Sequence, residues 1–539
     1  MLHILTGRAG SGKTTQVLRR MREAGERRPQ LLLVPEQASF ETERRVCREN
    51  GNQAGRYGEV LSFTRLENRV LSLGGGAAEP VLDAGGRLLV LYAALRSVQA
   101  NLTVYAMPSQ KPAFLTSLLT TLDELKSYCI TGEQLTQVGE ETEGLDGEKL
   151  RDLGLIFGAY EAMTARGALD PRDRLTRLAE KLRRFPFFQG QDVYLDGFTD
   201  FTPQQGLVLA ELLRQAHSVT LALTYGEGAG EEAVFAPARK TLAWIKGLAA
   251  KVGCPVEEEA LPAGERGRTP PLRHLEQALF AHPMPSYTGP WDGSIVVHEL
   301  PSPREEVAWA AGEIRALVRQ GRVRYRDIVV TARSMDPYWE QLEGVFAQYD
   351  IPLFQADKTD LLQKPLFTLI TAALDAVNGG YLYEDMFRYL KTGLAGLSLP
   401  ECDQLENYVL TWDIWGSRWT GAGGWTRHPG GYHQWFTPQD EETLETLNAL
   451  RLRVIQPLER LRKNAGGTIG EQVLALYQFL EEIHAPEHLE ARSAALLHQG
   501  EPELARQYSQ LWEIFCRALE QCAALLGEVE AEFADFSRL

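Results

Sequence analysis

At 539 residues, with 44% hydrophobic and 24% charged side chains, the chain has the composition of a soluble globular protein too long for one hydrophobic core. Its formal charge of −16 excludes a simple basic nucleic-acid coat, while leaving room for a groove of local positive charge. No apolar run is long enough to span a membrane, no signal-peptide pattern opens the chain, and the six scattered cysteines form no C-x-x-C pair. A cytoplasmic protein with reduced thiols is the expectation.

The chain opens on a short apolar strand, Leu2–Thr6, followed at once by Gly7-Arg8-Ala9-Gly10-Ser11-Gly12-Lys13-Thr14. This is G-x-x-x-x-G-K-[ST], the phosphate-binding loop, in its productive context of strand before and helix after. Glycines let successive backbone N–H groups wrap a phosphate, and the helix starting near Lys13 adds the positive end of its dipole. The chemistry calls for ATP as ligand, with Lys13 on the β- and γ-phosphates and the Thr14 hydroxyl on Mg²⁺.

Strand and helix then alternate. Strands are expected at Leu31–Val34 and Val60–Phe63, each followed by a helix, at Ala38–Glu49 and Thr64–Leu73. That alternation implies a parallel sheet covered by helices, a first core whose opening part spans 1–83. Residues 84–190 read as an inserted helical subdomain, broken at Met107-Pro108 and at the acidic Gly139–Glu148 stretch. Strands return at Val193–Asp196 and Val219–Thr224, which place the rest of the first core at 191–254. A Gly- and Pro-rich linker follows at 255–292. A second α/β core is expected over 293–364, with strands at Ile295–Leu300, Asp327–Ala332 and Tyr349–Phe354 around a helix at Pro303–Arg319. From 365 to 539 the pattern is helical again.

A phosphate loop needs an acidic partner for Mg²⁺ at the end of a neighbouring apolar strand, and Asp196 supplies it. The alternative for Asp196 is a helix cap. Motor ATPases usually follow this aspartate with a glutamate that polarises the attacking water. Here Gly197 follows, so nucleotide binding is expected with poor hydrolysis. Asp200 is offset by four residues and makes a weak substitute.

Two α/β cores with a phosphate loop at the extreme N-terminus and helical insertions resemble superfamily 1 helicases of UvrD-like design. Particular motifs narrow this. Gly7–Thr14, Leu33-Val34-Pro35-Glu36-Gln37-Ala38-Ser39-Phe40, Ser62-Phe63-Thr64-Arg65-Leu66 and Asp196-Gly197-Phe198 through Gln205 together resemble the AddB subunits of bacterial AddAB helicase–nucleases. So do Arg322–Ile328 and Tyr389–Leu394, and the resemblance runs along essentially the whole chain. It implies a partner in double-strand-break processing: a subunit that pairs with an AddA motor, handles single- and double-stranded DNA, and scans one strand for a recombination hotspot. The strand-reading residues would then fall on Gln37, Ser39, Phe63 and Arg65. Their chemistry suits the task, since Phe63 can stack on a base, Arg65 can meet phosphate or guanine, and Gln37 and Ser39 can read base edges. Helix capping and core packing are the competing roles for these four. The resemblance also implies a later nuclease domain with an iron–sulfur cluster. Neither is expected within these 539 residues, which read as an N-terminal fragment.

Other signals are weaker. Arg19, Arg20, Arg22, Arg27 and Arg28, and then Arg315, Arg319, Arg322, Arg324 and Arg326, read first as solvated helix faces, with a phosphate track as the alternative. Trp412, Trp415, Trp419, Trp425 and Trp435 crowd a glycine-rich segment, and read as a loop pinned to a helical bundle rather than a base-stacking platform. Pro486 spoils a helical metal pair between His484 and His488. Outside the helicase–nuclease reading, the phosphate loop alone is compatible with a small-molecule phosphotransferase or with a scaffold whose nucleotide site is vestigial.

Overall fold

The computed structural model describes residues 1–76, 81–107, 112–165, 169–226, 233–262, 269–321, 323–354 and 361–539. The chain divides into two compact units. One comprises Met1–Gly226, Val234–Gly264 and Leu361–Leu539, the other Glu227–Ala233 and Glu265–Asp360.

The first unit is built on a six-stranded, all-parallel sheet: β1 (Leu2–Gly7), β2 (Gln30–Leu33), β3 (Gly58–Leu61), β4 (Asp192–Leu195), β5 (Ser218–Thr224) and β6 (Val256–Ala260). Their spatial order is β3-β2-β4-β5-β1-β6. The interior strands read as unbroken apolar runs because helices cover both faces. Register is set accordingly, with Leu33 opposite both Leu61 and Leu195, and Leu2 opposite Val219. Helices α1 (Lys13–Ala24), α2 (Ser39–Asn50) and α3 (Phe63–Gly74) follow the first three strands.

Strand β6 lies within the segment that the sequence assigns to a linker. Its residues, Val-Glu-Glu-Glu-Ala, carry no apolar alternation because it is an edge strand, blunted by charge. Glu257 pairs with His3 at 3.1 Å, Glu258 with Lys246, and Glu259 with Arg20 at 2.6 Å.

The inserted helical block packs the helices Ala84–Val98, Pro112–Ser127, Gly132–Glu141, Leu145–Thr164 and Arg174–Arg184. The acidic break of the sequence is a tight turn between two helices that meet at glycines: a Cβ on Gly139 would lie 2.9 Å from the Gly147 carbonyl. Asp170, fully buried, anchors the block by pairing with Arg87 and Lys126, both at 2.9 Å, and by accepting from the Tyr160 hydroxyl at 2.9 Å. Burial alone would raise the Asp170 carboxyl pKa, but the Lys126 and Arg87 charges and a backbone donor hold it below the usual range. The C-terminal helices, from Pro365 onward, form the largest apolar core, and Leu89, Tyr92 and Ala93 of the inserted block pack against it.

The second unit places Pro270–Ala278, Pro303–Arg319 and Trp339–Gln348 as helices, with a small core of Val307, Ala311, Ile314, Leu342, Val345, Phe346 and Ile351. The three strands expected here are absent: Ile295–Leu300, Asp327–Ala332 and Tyr349–Phe354 are extended or turn segments without ladder partners among the described residues. A strand is completed by its neighbour's backbone, and Val297, Val329 and Phe354 stand largely exposed instead.

Candidate nucleotide site and nucleic-acid edge

Because all six strands run parallel, their carboxyl ends share one edge, where open α/β sheets bind ligands. Along that edge, in order, stand the turn into α3 after β3, the Pro35–Ala38 turn after β2, Asp196 after β4, and the phosphate loop after β1. The motifs scattered through the sequence therefore converge in space.

The loop between β1 and α1 has the backbone a phosphate cradle needs. Gly10 and Gly12 take positive φ of 79° and 89°, and a Cβ at Gly12 would meet nothing within 4 Å, so the space above it is open. At Gly7 a Cβ would crowd the Ser11 side chain and stand 3.3 Å from Leu261 Cβ, so a larger residue there displaces its neighbours. Lys13 is 9% exposed, and its ammonium folds back to donate to the Gly7 and Arg8 carbonyls at 2.8 and 2.9 Å. Burial lowers its pKa, opposed by the Asp196 carboxylate. The buried Ser11 hydroxyl has no partner. A buried cation satisfied only by carbonyls, beside an orphaned hydroxyl and open glycine backbone, fits a phosphate chain. The same donor set would hold ATP through the amides of Gly10–Thr14 and Lys13, and Mg²⁺ through Thr14 and Asp196.

Asp196 lies two strands from the loop, with β5 between them, and its N–H donates to the Leu33 carbonyl at 3.1 Å. Gly197 adopts φ +84°, and a Cβ there would stand 3.3 Å from Pro35 Cδ. The backbone thus disfavours any larger residue where motor ATPases carry glutamate. Asp200 is exposed, and its carboxylate accepts from Thr199.

The other end of the edge is polar and exposed. Gln37 faces solvent, and the half-buried Ser39 donates from its hydroxyl to the Glu36 carbonyl at 3.1 Å. Glu36 accepts the Thr64 N–H at 3.0 Å. Burial would raise the Glu36 pKa, but donors from Ser62 and Thr64, and the Arg65 charge, hold the carboxyl below the usual range. Arg65 is exposed, and its guanidinium pairs with Glu43 at 2.5 Å. Phe63 departs from the expected base-stacking role. Only 6% exposed, it sits in the core under the sheet, its ring edge-on to Phe198 at 5.7 Å, so no face is open to a base. The open aromatic ring at this edge is Phe40, 70% exposed at the start of α2, with Arg44 over its face at 5.8 Å. An apolar residue next to Ser39 in an otherwise polar first turn was the available signal.

The arginine clusters are largely engaged within the chain. Arg20 pairs with Glu259, Arg19 with Glu23, Arg315 donates to the Tyr325 hydroxyl, and Arg324 pairs with Asp327, while Arg322 lies outside the described residues. Of the tryptophans, Trp412, Trp419 and Trp425 are buried and pin the glycine-rich segment, whereas Trp415 and Trp435 are exposed. No group of three or more metal-ligating side chains occurs among the described residues, and no helix there is long and apolar enough to cross a membrane.

The family model described as "ADDB, N-terminal" matches residues 4–276. A protein of Acetivibrio thermocellus, named as the B-type subunit of an ATP-dependent helicase/deoxyribonuclease, is 32% identical over 553 residues, covering 100% of this chain and 48% of its own length. Proteins of the same name from Desulforudis audaxviator and Pelotomaculum thermopropionicum are 34% and 33% identical, covering 100% and 99% of this chain and 48% of their own lengths. The chain thus spans about half the length of these relatives. The family model covers just over half of the chain, and the chain belongs to the AddB family.

Proposed function

We propose that this chain is the ATP-binding, DNA-binding part of a helicase–nuclease subunit that resects broken DNA ends for recombinational repair. The single observation that carries the reading is the carboxyl edge of the sheet, where a phosphate cradle and a polar, partly aromatic surface lie side by side. β2 and β1 are three ladder steps apart, about 14 Å at ~4.8 Å per step, so one edge accommodates nucleotide and strand together. In this reading ATP and Mg²⁺ sit on Gly7–Thr14 and Asp196, and single-stranded DNA crosses the ends of β2 and β3. Gln37, Ser39 and Arg65 contact the strand, Phe40 stacks on a base, and Phe63 positions α3 from below.

The finer parts of the reading follow from family membership. A motor subunit of AddA type supplies translocation, since Gly197 leaves this chain a poor hydrolase. The strand-reading edge scans for the hotspot sequence on the passing single strand. Duplex DNA enters the assembled complex. Support comes from the names of the relatives and from the left-handed backbone at Gly197.

Calorimetry with ATP and with a labelled oligothymidylate tests the reading. Both ligands are expected to bind, and Lys13→Ala is expected to weaken ATP alone. Failure of the wild-type chain to bind either ligand would overturn it.

A further inference from the structure

A second charged site lies in the C-terminal helices, far along the chain from the phosphate loop. The short helix Ser417–Thr420 leads into the glycine-rich Gly421–Gly424 segment, which lies against the long helix Pro438–Asn464. Between them is a groove of about 450 Å³, lined among others by Gly421, Gly423, Arg451, Gln456 and Lys463.

Arg451 is the anomaly. It is 4% exposed, yet no carboxylate lies within ion-pairing distance among the described residues. Its Nη1 donates to the carbonyls of Trp419 and Gly421, at 2.6 and 3.1 Å, and its guanidinium lies 5.8 Å from the Trp425 ring. Its Nε is buried with no partner. Burial pushes its pKa down, with no opposing charge. Elsewhere this chain neutralises a buried cation: Arg87 and Lys126 both meet Asp170. An uncompensated buried charge is strongly unfavourable and is normally paired or ligand-bound.

The other charges at the groove favour an anion. Lys463 is exposed at the rim with no ion-pair partner among the described residues. Glu459, the acidic group lining the groove, is already occupied by the Tyr381 hydroxyl and by Arg462 at 3.0 Å. Asn448 does not compete for a ligand, because its amide is spent holding Trp425 through both backbone atoms, at 2.7 and 2.9 Å. The groove therefore presents two cations and exposed glycine backbone, with its one carboxylate neutralised.

We propose that this groove binds a phosphate group, with Arg451 at its floor and Lys463 at its rim. The phosphate is either free or part of a DNA strand, and the experiment separates the two. Titration of the full chain with inorganic phosphate, followed by ³¹P line broadening, is paired with oligothymidylate affinity measured across a salt series. Lys463→Ala, an exposed change that spares the fold, is expected to weaken the phosphate titration at least fivefold. Arg451→Lys, which keeps the charge but loses the fork, is expected to weaken it further.

If the occupant is strand phosphate, Lys463→Ala also lowers the log–log salt slope of DNA binding by about one. An unchanged slope with weakened phosphate binding assigns the groove to free phosphate. Absence of phosphate broadening in the wild type together with an unchanged DNA slope overturns the proposal. So does phosphate binding that is unaffected by both variants. Every titration is repeated in the Lys13→Ala background, where phosphate held by the nucleotide loop no longer contributes.

Discussion

Gly197 offers a direct test of why this core departs from motor ATPases. Replacing it with glutamate restores the residue type that polarises water after the Mg²⁺-associated aspartate. The structure argues that the restoration fails. At φ +84° an L-residue brings its Cβ against the following carbonyl, at a cost of about 1–2 kcal/mol. The new Cβ would also press on Pro35 Cδ at 3.3 Å, and a proline ring on a fixed turn gives little. The expected loss is therefore about 1–3 kcal/mol, because either the backbone strains or the turn moves. Gly197→Ala shares most of that loss, since its origin is backbone and Cβ rather than charge. Urea unfolding of both variants reads the stability, and steady-state phosphate release with single-stranded DNA reads the chemistry. Release is expected to stay well below ~1 s⁻¹, the lower end of competent phosphoryl transfer. The reasoning is refuted if Gly197→Glu is as stable as wild type, or if release rises to that range.

Other consequences are equally open to measurement. Lys13→Ala removes a charge-assisted phosphate contact of about 1.5–3 kcal/mol, so calorimetry should show at least a tenfold loss of ATP affinity. Phe40→Ala and Phe63→Ala should separate cleanly. The first is expected to cost roughly 1–3 kcal/mol in oligothymidylate binding with stability unchanged. The second is expected to destabilise the sheet core by about 3–5 kcal/mol, visible as an earlier urea midpoint. Asp170→Asn leaves Arg87 and Lys126 buried without their shared carboxylate and should destabilise the inserted helical block by about 3–5 kcal/mol. Because the folded Asp170 carboxyl is held below its unfolded value, its contribution is present above the unfolded pKa and fades as pH falls through the folded one. The difference in stability between wild type and Asp170→Asn should therefore shrink in acid, and a difference constant from pH 7 to pH 2 would contradict this assignment.

The sequence by itself determined the local chemistry of the sheet core. A strand, a Gly-rich turn with Lys-Thr and a helix are contiguous, so β1, the loop and α1 were legible. The buried strands β2, β3, β4 and β5 announced themselves as short apolar runs, and Asp196 as the carboxylate ending one of them. What depends on distant neighbours was not legible. The acidic strand β6 carries no hydrophobic signal, because an edge strand draws its stability from β1 and from three ion pairs. The expected strands at Ile295–Leu300, Asp327–Ala332 and Tyr349–Phe354 carried that signal yet found no ladder among the described residues.

Side-chain exposure likewise belonged to the tertiary structure. Phe63 and Phe40 each adjoin a polar residue at a helix start, and only the packing of Phe198 decides that the first is core and the second open. The charge at Arg451 was ordinary in the sequence and became unusual only when the folded helices buried it without a partner. Periodicity and motif spacing are properties of neighbouring residues. Burial, pairing and the left-handed turn at Gly197 are set by residues brought together from elsewhere in the chain.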